Sequence, residues 1–310
     1  MTKKQIKTIK NFDIDVFLSK RDHTGEDLRN LDLSGLDLRG INFSFSDLEG
    51  TKLNNSNMEG VNFSYANLEN TELKKSILID SNFTETNCKN SIFDNADCTK
   101  AKMISTILSN TSFKESILSF VDFSRCMAKN INFNKAHLEN SILSKNNIIG
   151  CDFSEASLFE SDFSLTSLFD CKFIRSDMSY SDLRGVMASK CDFSYSNMAT
   201  ANIDFFKCDK DNNFYKTNLQ KNINTLEQKN KDIIKSISKL KKEDLTNILN
   251  SVIGSNNSEN KKLYDNLNNL SEEDYKKLLE EVISKIVLSL PESKNKKSKS
   301  KKEINCDLEL

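Results

Sequence analysis

The sequence predicts a chain that coils in four-sided turns, and two periodicities support this. From Leu28 to Cys208 every fifth residue is large and apolar: 35 of these 37 positions hold Leu, Phe, Met, Ile or Cys. The position two residues earlier is small (Ala, Ser, Thr, Cys or Val) in 30 of 37 cases. Neither a helix nor a flat strand keeps a period of five on one side, so the chain must turn a corner in each unit. Phenylalanines that recur every 20 residues, from Phe93 to Phe193, indicate four units per coil.

The five-residue unit resembles the pentapeptide repeat family, whose unit reads A-(D/N)-L-x-x. The pattern is plain at residues 66–68, 181–183 and 196–198, and Asp or Asn precedes the large residue in 21 of 37 units. The resemblance implies an all-β, right-handed quadrilateral β-solenoid over residues 26–208, with the large residue pointing inwards.

The corner position two places after the inward residue holds six of the eight glycines, which predicts a turn with positive φ there. These are Gly35, Gly40, Gly50, Gly60, Gly150 and Gly185.

The segments that flank the repeats have different compositions. Residues 1–25 are expected to form an N-terminal cap, in which Phe12, Ile14, Val16 and Phe17 cover the first coil. Residues 209–225 are expected to form a polar linker.

Beyond this linker the apolar period becomes helical, which predicts an α-helical C-terminal domain over residues 226–290. Two 30-residue units repeat there as tandem hairpins, so that Ile233 matches Leu263 and Val252 matches Val282. Residues 291–310 are rich in lysine and are predicted to be disordered.

The recurring Asp residues are interpreted as structural rather than catalytic. They occupy one position beside the inward residue, where a carboxylate can close a corner by hydrogen bonding. The sequence has no phosphate-binding glycine loop and no nucleophile elbow. We therefore expect no enzyme, no cofactor and no small-molecule substrate.

The spacing of the cysteines favours a column of buried thiols over a metal site. Cys151, Cys171 and Cys191 recur every 20 residues at the small position, but the chain has only two histidines and no Cys-x-x-Cys pair. We expect buried thiols and no bound metal, in a reducing, cytoplasmic setting. No stretch approaches the 18 apolar residues of a membrane span.

The charge pattern bears on the kind of partner. The net charge is −1. The lysine run at 294–302 contains no aromatic residues, so we expect a solubilising tail and no nucleic-acid partner.

Three functional hypotheses follow. The first is a non-catalytic binding or scaffold protein that presents one face of the rod to a protein partner. The second rests on resemblance to pentapeptide repeat proteins that protect DNA gyrase by imitating DNA, and the third is a bacterial effector that acts in a host cell. A homodimer through the C-terminal helices is a further expectation.

One side of the rod is expected to meet the partner. It is built on Leu38 and every twentieth residue up to Met198, and its units carry seven acids and two bases. We call this side the acidic face. Its predicted outward apolar residues form a strip rimmed by charge, as protein interfaces do: Ile77, Ile79, Ile117, Phe120, Phe159 and Tyr180. An alternative is that the helical domain or residues 1–25 cover this strip.

Overall fold

The computed structural model describes residues 13–219 and Ser271. The predicted helical domain at 226–290 and the lysine-rich tail at 291–310 lie outside the described residues, apart from Ser271. Phe12 and the rest of the predicted N-terminal segment before residue 13 also lie outside them.

Parallel ladders wind the described chain into stacked coils. Asp22, Asp27, Asp32 and Asp37 each bridge to the residue 20 positions later, and the same step continues as far as Asp182, which bridges to Asn202. Each coil therefore holds four units, one on each side. The residues of the inward column are buried from Leu28 to Met198. The predicted β-solenoid is confirmed.

One side of the coil forms continuous strands in its C-terminal half. They pair in parallel in the order β1 to β5. In each of the first four strands, the middle of the three residues is buried and its two neighbours point outwards. The strands are β1 (Met127–Lys129), β2 (Asn147–Ile149), β3 (Ser167–Phe169), β4 (Met187–Ser189) and β5 (Lys207–Cys208).

A β-turn closes each corner, as the glycine positions predicted. The N–H of Ser46 donates to the carbonyl of Phe43 at 3.2 Å, and Phe45 between them has φ 61°. All six corner glycines have φ between 62° and 71°. No non-glycine residue with positive φ in the described chain is Val, Ile or Thr, because β-branched side chains crowd this conformation.

The Asp and Asn residues beside the inward column cap these turns. The Oδ1 atom of Asp37 accepts from the N–H of Arg39 at 3.3 Å, and that of Asn42 accepts from the N–H of Ser44 at 3.1 Å. Neighbouring coils are tied by amide ladders, such as the bond from Asn62 Nδ2 to Asn42 Oδ1 at 3.0 Å. The predicted hydrogen bonds that close the corners are confirmed at these positions.

A short helix covers the first coil. Helix α1 (Ile14–Ser19) begins at the capping residue Asp13, and its Phe17 is buried against His23 with ring centroids 4.0 Å apart. His23 occupies the inward column, so the register begins one unit before Leu28. Val16 is exposed and does not contribute to the cover.

The last coil contains a one-residue insertion. Asp192 bridges to Asn213, 21 residues later, and Phe214 stacks on Phe193 with centroids 5.0 Å apart. The ladder thus continues past residue 208, where the sequence analysis ended it. Leu219 is buried in that continuation.

Candidate interaction surfaces

The six apolar residues predicted on the acidic face reach the surface to different extents. Ile79 and Phe159 are half-buried. The other four, which are 41–62% exposed, are Ile77, Ile117, Phe120 and Tyr180.

These residues form two groups rather than one continuous strip. Ile77 and Ile117 flank Asp97, which bridges to both, so they lie two coils, or about 10 Å, apart. Phe159 and Tyr180 make an edge-to-face pair with centroids 5.5 Å apart. Between the groups one coil presents a histidine and a glutamate.

That glutamate, Glu139, is held as a charged group. Burial alone would raise its pKa, but hydrogen bonds from Ser157, its own backbone N–H, Ser119 and His137 outweigh this and hold the pKa below its usual value. The Ser119 hydroxyl donates at 2.8 Å and His137 Nδ1 lies 3.2 Å from Oε1. A fixed negative charge therefore stands between the two apolar groups.

A second apolar surface lies on strands β1–β5, and we call it the strand face. Phe205, at 73%, is the most exposed large apolar residue within residues 13–219. Each strand, or the corner before it, contributes at least one outward apolar side chain: Met127, Ile149, Leu165, Phe169, Met187 and Phe205.

Sequence reasoning missed the strand face because it sorted residues by unit. Leu165 and Phe205 belong to units whose inward residues, Phe163 and Ile203, lie on the preceding side. Their corner position brings them beside the next side of the coil. Stacking the sequence in rows of 20 and reading each corner together with the following unit would have found the surface.

The cysteine column is buried, as predicted. Cys151, Cys171 and Cys191 are free thiols with almost no exposure. Burial raises the pKa of Cys151 to about 12. Within the described residues no group of three or more His, Cys, Asp or Glu side chains is arranged to hold a metal ion. In the same part of the chain, no helix is long and apolar enough to cross a membrane.

The chain belongs to the family described as pentapeptide repeats. The family model matches in eight copies over residues 41–158 and 166–203, which together make up about half of the chain. No curated protein matches.

Several solved structures are similar to this chain. HetL, a pentapeptide repeat protein involved in heterocyst differentiation regulation from the cyanobacterium Nostoc sp. strain PCC 7120, is 22% identical, with a TM-score of 0.42 over 67% of this chain and 91% of that one. A trypsin-treated form of QnrB1, a plasmid-mediated fluoroquinolone resistance protein, is 20% identical, with a TM-score of 0.34 over 59% of this chain and 92% of that one. The pentapeptide repeat protein Rfr23 from the cyanobacterium Cyanothece 51142 is 20% identical, with a TM-score of 0.29 over 35% of this chain and 90% of that one.

Proposed function

We propose that the protein is a non-catalytic binding protein that docks a protein partner on its acidic face. The observation that carries this proposal is the exposure of Ile77, Ile117, Phe120 and Tyr180 around the hydrogen-bonded carboxylate of Glu139. Large apolar side chains ringed by charge are the anchors from which protein interfaces gain most of their affinity.

The rigidity of the rod supports this role. Backbone ladders and amide ladders fix every coil to its neighbours, so outward side chains keep their positions before the partner arrives. A preorganised surface loses little conformational entropy on binding. Buried free thiols suit a reducing compartment, so we also propose a cytoplasmic location.

A DNA-mimic role against gyrase has weaker support from the charge distribution. Duplex DNA carries one negative charge per about 1.7 Å of its length. The strand face and its two flanking corners, in contrast, carry seven basic and three acidic residues over the last five coils of the repeat. A rod of this kind is acidic on one side and basic on another.

The test is a triple substitution on the acidic face: Phe120→Ser, Phe159→Ser and Tyr180→Ser. A matched control replaces three outward apolar residues on other sides of the coil, Phe45, Tyr65 and Ile142, by Ser. Circular dichroism and thermal melting first establish that both variants are folded.

The readout is cross-linking of the full chain in a lysate of its source cells, followed by mass spectrometry. We expect one or more proteins to be captured by the native chain and by the control, and to be lost with the acidic-face variant. If the acidic-face variant keeps every captured protein, the proposal is wrong. Inhibition or protection of purified gyrase by the native chain would favour the DNA-mimic hypothesis instead.

A further inference from the structure

The strand face carries an unbroken apolar stripe that follows the axis of the rod. Five successive coils each contribute at least one outward apolar residue, whereas the acidic face skips coils. At about 4.8 Å per coil the stripe is about 19 Å long. An α-helix rises about 1.5 Å per residue, so about 13 helical residues would span it.

Within the stripe, the side chain of Leu165 packs over a glycine. A Cβ atom on Gly185 would lie 2.8 Å from Leu165 Cδ2, so the leucine side chain extends over the Gly185 backbone. Phe205 occupies the same corner one coil further on. Leu165 is 62% exposed and Met187 is 54% exposed, so no side chain of the described residues covers this part of the stripe.

The rim of the stripe is basic. The strand face and its flanking corners, counted over residues 124–130 and the four equivalent stretches that follow at intervals of 20, hold seven bases and three acids. Arg184 pairs with Asp182. In the described part of the chain, no carboxylate lies within ion-pair distance of the other six bases, which are Arg125, Lys129, Lys145, Lys190, Lys207 and Lys210.

Lys190 links the rim to the apolar stripe. Its Nζ lies 5.1 Å from the centroid of the Phe169 ring, so its charge stands over an exposed aromatic face. A carboxylate of a bound partner could reach this ammonium while an apolar side chain beside it contacted the ring.

We propose that the strand face binds an acidic amphipathic helix of a partner protein. The apolar side of such a helix covers Leu165, Met187 and Phe205, and its Glu or Asp residues face the unpaired lysines. Charge complementarity identifies the occupant, because a basic or neutral helix would leave these lysines desolvated without partners.

Nucleic acid fits this surface less well. Met127, Ile149, Leu165 and Met187 are aliphatic, and bases stack mainly on aromatic rings. Three carboxylates also lie on the rim, where a phosphate backbone would pass.

The test uses the full chain and a fluorescein-labelled peptide of about 16 residues, with Leu at helical i, i+3, i+4 and i+7 spacing and Glu at most other positions. A second peptide has Lys in place of every Glu. Fluorescence anisotropy should show saturable binding of the acidic peptide that weakens as salt is added, and binding of the basic peptide at least about tenfold weaker.

Two variants locate the binding. The triple substitution Leu165→Ser, Met187→Ser and Phe205→Ser should weaken binding of the acidic peptide by about tenfold or more, whereas the acidic-face triple should leave it unchanged. In case the first variant loses its fold, the charge reversal Lys129→Glu with Lys190→Glu should shift the preference towards the basic peptide.

Three outcomes would overturn the proposal. The acidic peptide shows no saturable binding, or it binds the strand-face variants as tightly as the native chain. Alternatively, single-stranded oligonucleotides or vesicles with anionic lipids bind more tightly than the peptide and lose their binding with the same variants.

Discussion

Replacement of Phe133 by Ala tests the inward column within its continuous stack of phenylalanine rings. Phe133 is 2% exposed and stacks on Phe113 and Phe153 with centroids 5.4 Å and 4.8 Å apart. It also meets Phe123 edge to face at 5.8 Å. A buried Phe→Ala change costs about 3–5 kcal/mol. We expect the upper half of this range, because each lost ring pair adds about 0.5–1.5 kcal/mol and the ladders prevent the coils from collapsing into the cavity.

The assay is thermal and urea unfolding followed by circular dichroism. A loss of about 4–5 kcal/mol predicts a fall in Tm of about 8–20 °C for a domain of this size. Phe205→Ala is the control: it removes the same ring from an exposed position, so the free energy of unfolding should change by about 0.5 kcal/mol or less. An unchanged Tm for Phe133→Ala would show that the column does not form the core.

Three further predictions concern the turns and the buried polar groups. Asn146→Thr should raise the free energy of unfolding by about 1 kcal/mol, measured in urea. The buried Oδ1 of Asn146 has no hydrogen-bond partner among the described residues, whereas a threonine hydroxyl would still donate to a backbone carbonyl. Gly60→Ala and Gly185→Ala share φ +64°, so each should cost about 1 kcal/mol, and any excess at Gly185 in the same assay measures displacement of the leucine above it. The pKa of Asp37 is lowered to about 2, mainly by the hydrogen bond from the Arg39 side chain, so Arg39→Ala should raise this pKa in an NMR titration. The Asp37–Arg39 pair stabilises the folded state above the unfolded pKa of Asp37, and this contribution is lost as the pH falls from about 4 towards 2.

The core and the corners could be predicted from the sequence because both are defined by residues within a single five-residue unit. The inward residue, its small companion and the corner residue recur at fixed offsets, so one correctly identified unit defines all of them. Phe133 and Gly185 were placed in this way. A backbone position that needs positive φ can also be recognised in the sequence, because it favours glycine and disfavours β-branched residues.

A cap containing Phe17 was predicted, but the exact limits of the repeat were not, because there the register is broken and tertiary contacts decide. His23 is a polar residue in the apolar inward column, so the five-residue apolar pattern alone does not include it in the repeat. The structure accommodates it because Nε2 lies 3.1 Å from the Phe17 carbonyl and Nδ1 lies 2.8 Å from Glu26 Oε2. Phe17 completes the stack above it. The five-residue period does not encode either of these two partners, Phe17 and Glu26.

The C-terminal insertion was hidden for a similar reason. Asn213 and Phe214 are displaced by one residue from the register, so a strict count of five places them in a linker. In the structure, Asn212 Nδ2 donates to the Ala188 carbonyl at 3.0 Å and its Oδ1 accepts from the Cys191 N–H at 2.8 Å. These bonds restore the ladder after the extra residue, and only a search that allows a shift would find them.

The acidic face and the strand face lie two units apart in a four-unit coil, and therefore on opposite sides of it. Because a packed core separates the two faces, we expect the two proposed partners to bind at the same time without touching. Coupling between such sites should be weak, since substitutions far apart with no shared partners are usually additive within about 0.5 kcal/mol. The acidic peptide should therefore bind with unchanged affinity whether the acidic face is occupied by its captured partner or free, as measured by anisotropy on the purified complex. Competition between the two ligands would place them on one surface and contradict the two-faced arrangement.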